Sequence, residues 1–301
     1  MLGGHALHAI YNACLSRPIS RRYCAIPLKD VTMMDDLTPG VFRSWRSYWT
    51  FARSVSRELR YVRTPATEHF LESVLRTSLH RQATIPAGQR FWRAQLGHDW
   101  RPMSDNIDDG VPCAYSKDRM KPLPDKAWDG RANPRGIPCL YLATSKETAM
   151  SEVRPWIGSY VSVGQFRTCR DLSVIDCARH HGGVPLYLGE PDEPEPEDRT
   201  DIVWKHIDLA FAEPMTRSDD NADYAPTQIL AELFKRADFG GLVYRSNFGA
   251  GSNLALFNIN DADLINCGLY KVEKMQASFK QTDQFYHVAE QPDEPTATAG
   301  I

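Results

Sequence analysis

The chain has 301 residues, of which 42% are hydrophobic and 24% charged, a composition typical of a globular protein with a sizeable core. Its 35 Lys and Arg against 38 Asp and Glu give a formal net charge of -3, which argues against a dedicated nucleic-acid-binding protein. There is no apolar run of the ~20 residues that a membrane helix needs and no signal-peptide pattern at the N-terminus. The seven cysteines show no CxxC spacing, which favours free thiols in the cytoplasm.

The N-terminal part of the chain divides into two segments. Residues 1–40 show little periodicity, and we expect them to be irregular or poorly ordered. Apolar residues then recur at steps of three and four, and Thr64 followed by Pro65 fits the N-cap and first turn of a second helix. We therefore predict a helical region over 41–83, with a helical hairpin over about 41–81. Six arginines make this hairpin locally basic: Arg43, Arg46, Arg53, Arg57, Arg60 and Arg63.

Strands and helices are intermixed in the rest of the chain, without the regular alternation of a doubly wound sheet. Thr144 and Glu147 fit a capping box, with Thr144 as the N-cap of a helix that ends before Pro155. The stretches 98–138 and 189–201 are predicted as polar loops, and 276–301 as a disordered tail. Strands are predicted at about 90–94, 140–142, 161–166, 172–176, 242–244 and 253–257, and helices at about 144–153, 200–212 and 226–237.

Several catalytic and metal-binding patterns can be weighed and set aside. The chain has no P-loop, nucleophile elbow, HExxH or kinase motif. No metal site is predicted, because Cys169, Cys177 and the pair at 180–181 fit no common zinc spacing. Arg63 and His69 have a spacing that some helical ribonucleases use, which leaves a ribonuclease as a minor alternative.

Three segments carry more information than any of these. They are the stretch 90–95 (RFWRAQ), the stretch 130–156 with GRANP, LYLAT and EVRPW, and the stretch 244–257 with YRS and GSNLALF. Each segment alone is explained by a purely structural role, such as arginines at the edge of a core or a solvated Glu near a helix end. Together, in order and spacing, they resemble the RES family, named for its Arg, Glu and Ser residues. The resemblance covers about residues 84–275, which we take as the catalytic domain.

The resemblance implies a fold and an activity. RES domains have an α+β fold similar to that of ADP-ribosyltransferases, with a split, highly curved β-sheet surrounded by helices. They are toxins of toxin–antitoxin pairs, usually neutralised by an Xre-type antitoxin. Characterised members consume NAD by hydrolysis or phosphorolysis of the nicotinamide–ribose bond, and some are reported to ADP-ribosylate a protein. NAD is therefore expected as a substrate, and no bound cofactor is expected.

The resemblance also implies roles for particular residues. Glu152 and Arg131 match the catalytic positions, whereas Arg93, Tyr141 and Ser246 match NAD-binding ones. The chemistry agrees, because arginine binds pyrophosphate through paired hydrogen bonds and an aromatic ring attracts the cationic nicotinamide. A carboxylate such as Glu152 stabilises the cation that forms on the ribose. Asn253 is a further NAD-binding candidate, with a structural role as its other interpretation.

Alternatives to NAD breakdown stay open at this point. One is transfer of ADP-ribose to a protein or nucleic acid. Another is a non-catalytic RES-fold module that binds through the basic hairpin, although a solvated helix face explains the same arginines. The expected partner is an Xre-type antitoxin or another inhibitory protein. The exposed helices are compatible with a homodimer, while a membrane or nucleic-acid partner is not expected.

Overall fold

A computed structural model describes residues 41–103, 110–123, 126–179, 193–213, 221–276 and 281 of the chain. The expectations for residues 1–40 and for the tail beyond 276 lie outside these residues. The helices are α1 (Ser47–Arg57), α2 (Pro65–Ser78), α3 (Lys117–Met120), α4 (Lys146–Glu152), α5 (Pro196–Ala212) and α6 (Ala225–Arg236). The strands are β1 (Gln82–Ile85), β2 (Arg90–Leu96), β3 (Asp99–Pro102), β4 (Gly110–Cys113), β5 (Leu140–Ala143), β6 (Tyr160–Thr168), β7 (Leu172–Asp176), β8 (Gly241–Arg245), β9 (Ser252–Leu256) and β10 (Ala262–Lys271).

Eight strands form one mixed sheet in the order β1-β7-β8-β9-β5-β2-β6-β10. All neighbouring strands are antiparallel except β7 and β8, which run parallel. The protein is thus an α+β protein, as expected. At the centre, β2 and β5 share a single register pair, Trp92 opposite Ala143, whereas β2 pairs with β6 over seven residues. The sheet is therefore split between β2 and β5, and the split creates a cleft within the sheet.

The predicted helical hairpin is present, and it packs against other helices of the protein. Thr64 caps α2 as predicted, since its hydroxyl accepts a hydrogen bond from the amide of Thr67 over 3.2 Å. Phe51 of α1 stacks on Phe70 of α2, with ring centroids 4.5 Å apart. These two rings belong to the same hydrophobic cluster as Trp204 of α5. Phe51, Val55 and Phe70 are therefore buried inside the protein, whereas Trp49 of α1 is 55% exposed.

Four features of the chain differ from the predictions. Residues 196–201 belong to α5 and not to the predicted loop 189–201. The N-cap of α4 is Ser145, whose hydroxyl accepts from the amide of Thr148, while Thr144 accepts from the amide of Ser252. The predicted loop 98–138 contains the β3–β4 hairpin and α3. The strands β1 and β10 escaped prediction because they are the edges of the sheet, where few side chains are buried and the alternating pattern is weak. Among the described helices, none is long and apolar enough to cross a membrane.

Candidate active site

A cavity of about 560 Å³ lies at the split in the sheet. Its base is a row of register partners on four adjacent strands: Trp92 of β2, Ala143 of β5, Asn253 of β9 and Tyr244 of β8. Directly opposite residues on neighbouring strands project from the same face of a sheet, so these side chains share one surface. The small Ala143 leaves space between the larger neighbours. The volume is within the range of small-molecule sites.

Glu152 is held in this cavity by two hydrogen bonds to one of its oxygens. Ser246 donates its hydroxyl to Oε1 over 2.6 Å, and Asn253 donates Nδ2 to the same atom over 2.7 Å. No described residue donates to the second oxygen, Oε2. Glu152 and Asn253 line the cavity, whereas Ser246 is not one of its lining residues. The carboxylate is therefore oriented by its surroundings and keeps one oxygen for a ligand.

The local sequence explains why Glu152 stands at this place. It is the last residue of α4, and the chain turns immediately afterwards, because Arg154 has a positive φ of 45° and precedes Pro155. The loop that carries Ser246 packs closely on the same helix. A Cβ at Gly249 would lie 2.7 Å from Oγ1 of Thr148 in α4, so only glycine permits this approach.

Arg93 occupies the split itself. Its Nη1 donates to the carbonyl of Tyr141 over 3.1 Å, at the point where β5 no longer pairs with β2. Its Nε is buried and has no hydrogen-bond partner among the described residues. Burial lowers the pKa of Arg93 to about 10. A buried donor without a partner is uncommon in proteins, and Arg93 carries one of four such atoms among the described side chains.

Tyr141 lines the cavity with its ring, while its hydroxyl is fixed elsewhere. The hydroxyl donates to Oδ1 of Asn133 over 2.7 Å and accepts from the amide of Ala132 over 2.9 Å. Burial raises the pKa of Tyr141 well above its usual range. Asn133 in turn donates to three carbonyls of its own loop, those of Trp128, Pro134 and Ile137. The phenol is therefore a neutral structural anchor, and only the ring is available to a ligand.

The structure does not bring Arg131 into this cavity. Its Nη1 donates to the carbonyl of Ala210 over 2.7 Å, and its Nη2 donates to the carbonyl of Glu213. Both acceptors lie at the C-terminal end of α5, where helix carbonyls lack intrahelical partners. Asn247, which follows Ser246, donates to the neighbouring carbonyl of Ala212 over 3.0 Å. Arg131 thus stabilises the helix end that also holds the loop of Ser246.

Two aromatic residues of the cavity were not among the predicted site residues. Trp92 and Tyr244 both line it, and Tyr244 is 7% exposed. Burial, followed by the charge of Glu152, raises the pKa of Tyr244. Both belong to the segments that carry the family resemblance. Their positions opposite Ala143 and Asn253 could have been found only from the strand register.

The minor alternatives receive no support from the described geometry. His69 is bonded through Nε2 to the carbonyl of Val41 over 3.1 Å, and among the described residues no hydrogen bond joins Arg63 to it. Arg57 of the hairpin forms an ion pair with Asp223 over 2.9 Å. Within the described ranges there is no group of three His, Cys, Asp or Glu side chains suited to a metal ion. Residues 180 and 181 lie outside those ranges.

Comparison with known proteins identifies the family. The RES domain matches residues 90–273, which is more than half of the chain. No curated protein matches the sequence. Among solved structures, a chain of the M. tuberculosis MbcT-MbcA toxin-antitoxin complex is similar, with 15% identity and a TM-score of 0.36, over 66% of this chain and 92% of that one. On the basis of the domain match, the protein belongs to the RES domain family.

Proposed function

We propose that this protein is an enzyme that cleaves the bond between nicotinamide and ribose in NAD, with water or phosphate as the acceptor. The observation that carries the proposal is Glu152, whose carboxylate is fixed by Ser246 and Asn253 in a cavity that Arg93 also lines. The family assignment supports the same chemistry, because the RES resemblance implies NAD as the substrate.

The cavity offers a suitable environment for the nicotinamide ring, the adjoining ribose and the pyrophosphate of NAD. Trp92, Tyr141 and Tyr244 supply aromatic surfaces, which attract a flat cationic ring such as nicotinamide. Arg93 lines the cavity and supplies a cation, which suits a pyrophosphate oxygen. With these ends held, the ribose lies between them and within reach of Glu152.

The reaction then follows from the charge of the carboxylate. The bond from ribose C1 to the nicotinamide nitrogen breaks, its electron pair stays on that nitrogen, and neutral nicotinamide leaves. The ribose becomes an oxocarbenium-like cation, which the negative carboxylate of Glu152 stabilises. Water or phosphate adds to C1, and in the reaction with water Glu152 accepts the released proton. The products are nicotinamide and ADP-ribose, or nicotinamide and ADP-ribose 1″-phosphate.

The proposal is tested by incubating the purified protein with NAD, with and without phosphate, and separating the products by chromatography. We expect nicotinamide release by the parent and a loss of roughly 10²–10⁴-fold in kcat for Glu152→Gln. Glu147→Gln is the matched control, because Glu147 is an exposed residue of the same helix outside the cavity. Parent protein that releases no nicotinamide under either condition would contradict the proposal. Radioactive label from NAD retained on protein would instead identify ADP-ribose transfer.

We further propose that NAD depletion makes the protein a growth-inhibiting toxin, held in check by an antitoxin or another inhibitory protein. The family resemblance supports this role. Induced expression of the parent should lower cellular NAD and stop growth, whereas Glu152→Gln at the same protein level should do neither. Growth arrest by both proteins with unchanged NAD would refute the link to catalysis.

A further inference from the structure

A second cavity of about 630 Å³ adjoins the proposed active site. The two cavities share Arg93, Gln95 and Tyr141. The second cavity is also lined by Arg119 and by residues 121–123 and 126–128, which belong to the stretch between β4 and β5. We call this space the basic cavity. Because Arg93 lines both cavities, a ligand that extends past Arg93 from the active site can enter the basic cavity.

The side chains that line the basic cavity carry an excess of positive charge. None of the described residues that line it is acidic. Four of them are cations, namely Arg93, Arg119, Lys121 and Lys126. Lys121 is neutralised by Asp263, whose Oδ1 lies 2.7 Å from Nζ. Arg119 lies over the ring of Tyr115, 5.0 Å from its centroid, and no described carboxylate pairs with Arg119 or Lys126. A concave surface with this charge attracts anions.

An aromatic side chain stands at the same cavity. Trp128 is 73% exposed, which is unusual for the largest apolar side chain. The guanidinium of Arg135 lies 4.7 Å from its ring centroid, so the indole is held in place by a neighbour. An exposed, positioned indole beside unpaired cations is suited to stacking with a nucleobase that carries phosphate.

We propose that the basic cavity binds the adenosine-phosphate half of NAD. Arg93 then contacts the pyrophosphate, Arg119 and Lys126 contact the phosphate on its adenosine side, and Trp128 stacks against the adenine. This inference rests on the proposed function, and it extends that function to substrate selection. The enzyme then discriminates between a dinucleotide and nicotinamide mononucleotide, which has the same reacting bond and lacks the adenosine-phosphate half.

The first test compares turnover of the two substrates. The double variant Arg119→Gln/Lys126→Gln and the variant Trp128→Ala should each lower the ratio of kcat/KM for NAD to that for nicotinamide mononucleotide by roughly tenfold. Lys117→Gln is the matched control, since Lys117 is exposed on the same short helix as Arg119 and does not line the cavity. The ratio should not change for this control. An unchanged ratio in the cavity variants, or an effect on the KM of phosphate alone, would overturn the assignment.

The second test needs no turnover and separates this inference from the proposed chemistry. Calorimetric titration measures the affinity of the full-length protein for ADP-ribose and AMP. We expect the double variant and Trp128→Ala to bind ADP-ribose about tenfold more weakly than the parent and the Lys117→Gln control. Binding that is absent in the parent, or equal in all proteins, overturns the inference. If the parent binds ADP-ribose in this way and yet releases no nicotinamide, the proposed reaction fails while the subsite stands.

Discussion

The hydroxyl of Ser246 lies 2.6 Å from Oε1 of Glu152, although 94 residues separate the two in the chain. The serine oxygen also accepts from the amides of Phe248 and Gly249, each over 3.1 Å. Ser246 is therefore fixed by its own loop before it meets the carboxylate. Its contribution to activity should be the orientation of Glu152, and it shares that task with Asn253.

A double-mutant cycle tests this shared task. Ser246→Ala and Asn253→Ala should each lower kcat/KM for NAD, and the double variant should lose less than the sum of the two single losses. Both residues donate to one oxygen, so the carboxylate is already free to rotate once either donor is removed. Coupling between contacting groups is typically about 0.5–3 kcal/mol. Strictly additive losses in kcat/KM would show that the two residues act independently.

The position of Arg131 leads to a prediction that separates a substrate contact from a structural one. Arg131→Ala leaves two helix carbonyls without their donor, which we expect to destabilise the fold by about 1–3 kcal/mol. It should therefore lower Tm and kcat together, with partial rescue of both by Arg131→Lys. Asn247→Ala, which frees the carbonyl of Ala212, should act in the same direction. A raised KM for NAD at unchanged Tm would instead place Arg131 on the substrate.

The close approach of the Ser246 loop to α4 predicts a sensitive glycine. In Gly249→Ala the new Cβ would lie 2.7 Å from Oγ1 and 3.1 Å from Cα of Thr148, so helix and loop must separate. A displacement of this size moves Glu152 away from its donor and should lower kcat by roughly 10²-fold. Gly268→Ala serves as the control, because its nearest neighbour would be 3.5 Å away. Equal kcat for both variants and the parent would show that the loop adapts.

The attachment of the hairpin to α5 should depend on pH. His206 is 7% exposed and lies against Trp49, with ring centroids 5.2 Å apart. Burial, followed by the charge of Lys205, lowers the pKa of His206 below its ordinary value. As the pH falls below about 6.5, the unfolded chain takes up a proton at this residue and the folded protein does not, so stability decreases.

Denaturant unfolding at about pH 7.5 and about pH 5.5 measures this effect. The parent should lose more stability between the two values than His206→Gln, which cannot titrate at this position. His80→Gln is the control, because His80 is exposed and should keep the parent's pH dependence. A loss of stability that is equal in all three proteins would assign the dependence to other groups.

The fixed order of the motif residues let the sequence single out residues that the structure brings together: Glu152, Arg93, Tyr141 and Asn253 line one cavity. Their roles toward NAD stay predictions. Arg131 could not be placed, because a guanidinium suits a phosphate and a pair of helix carbonyls equally well. The basic cavity could not be predicted from the sequence either. The described residues of its wall, Arg119, 121–123 and 126–128, show no apolar periodicity, and its position follows only from the split between β2 and β5.

The shared core of the hairpin and the sheet has a consequence for handling the protein. The family match begins at residue 90, yet Trp204 of α5 is fully buried and donates Nε1 to the hydroxyl of Thr77 in α2 over 2.9 Å. A recombinant fragment cut at the family boundary would leave this indole and the adjoining apolar surface facing water. Such a surface favours aggregation. Expression vectors for crystallography or for screening of inhibitors should therefore retain the chain from at least residue 41.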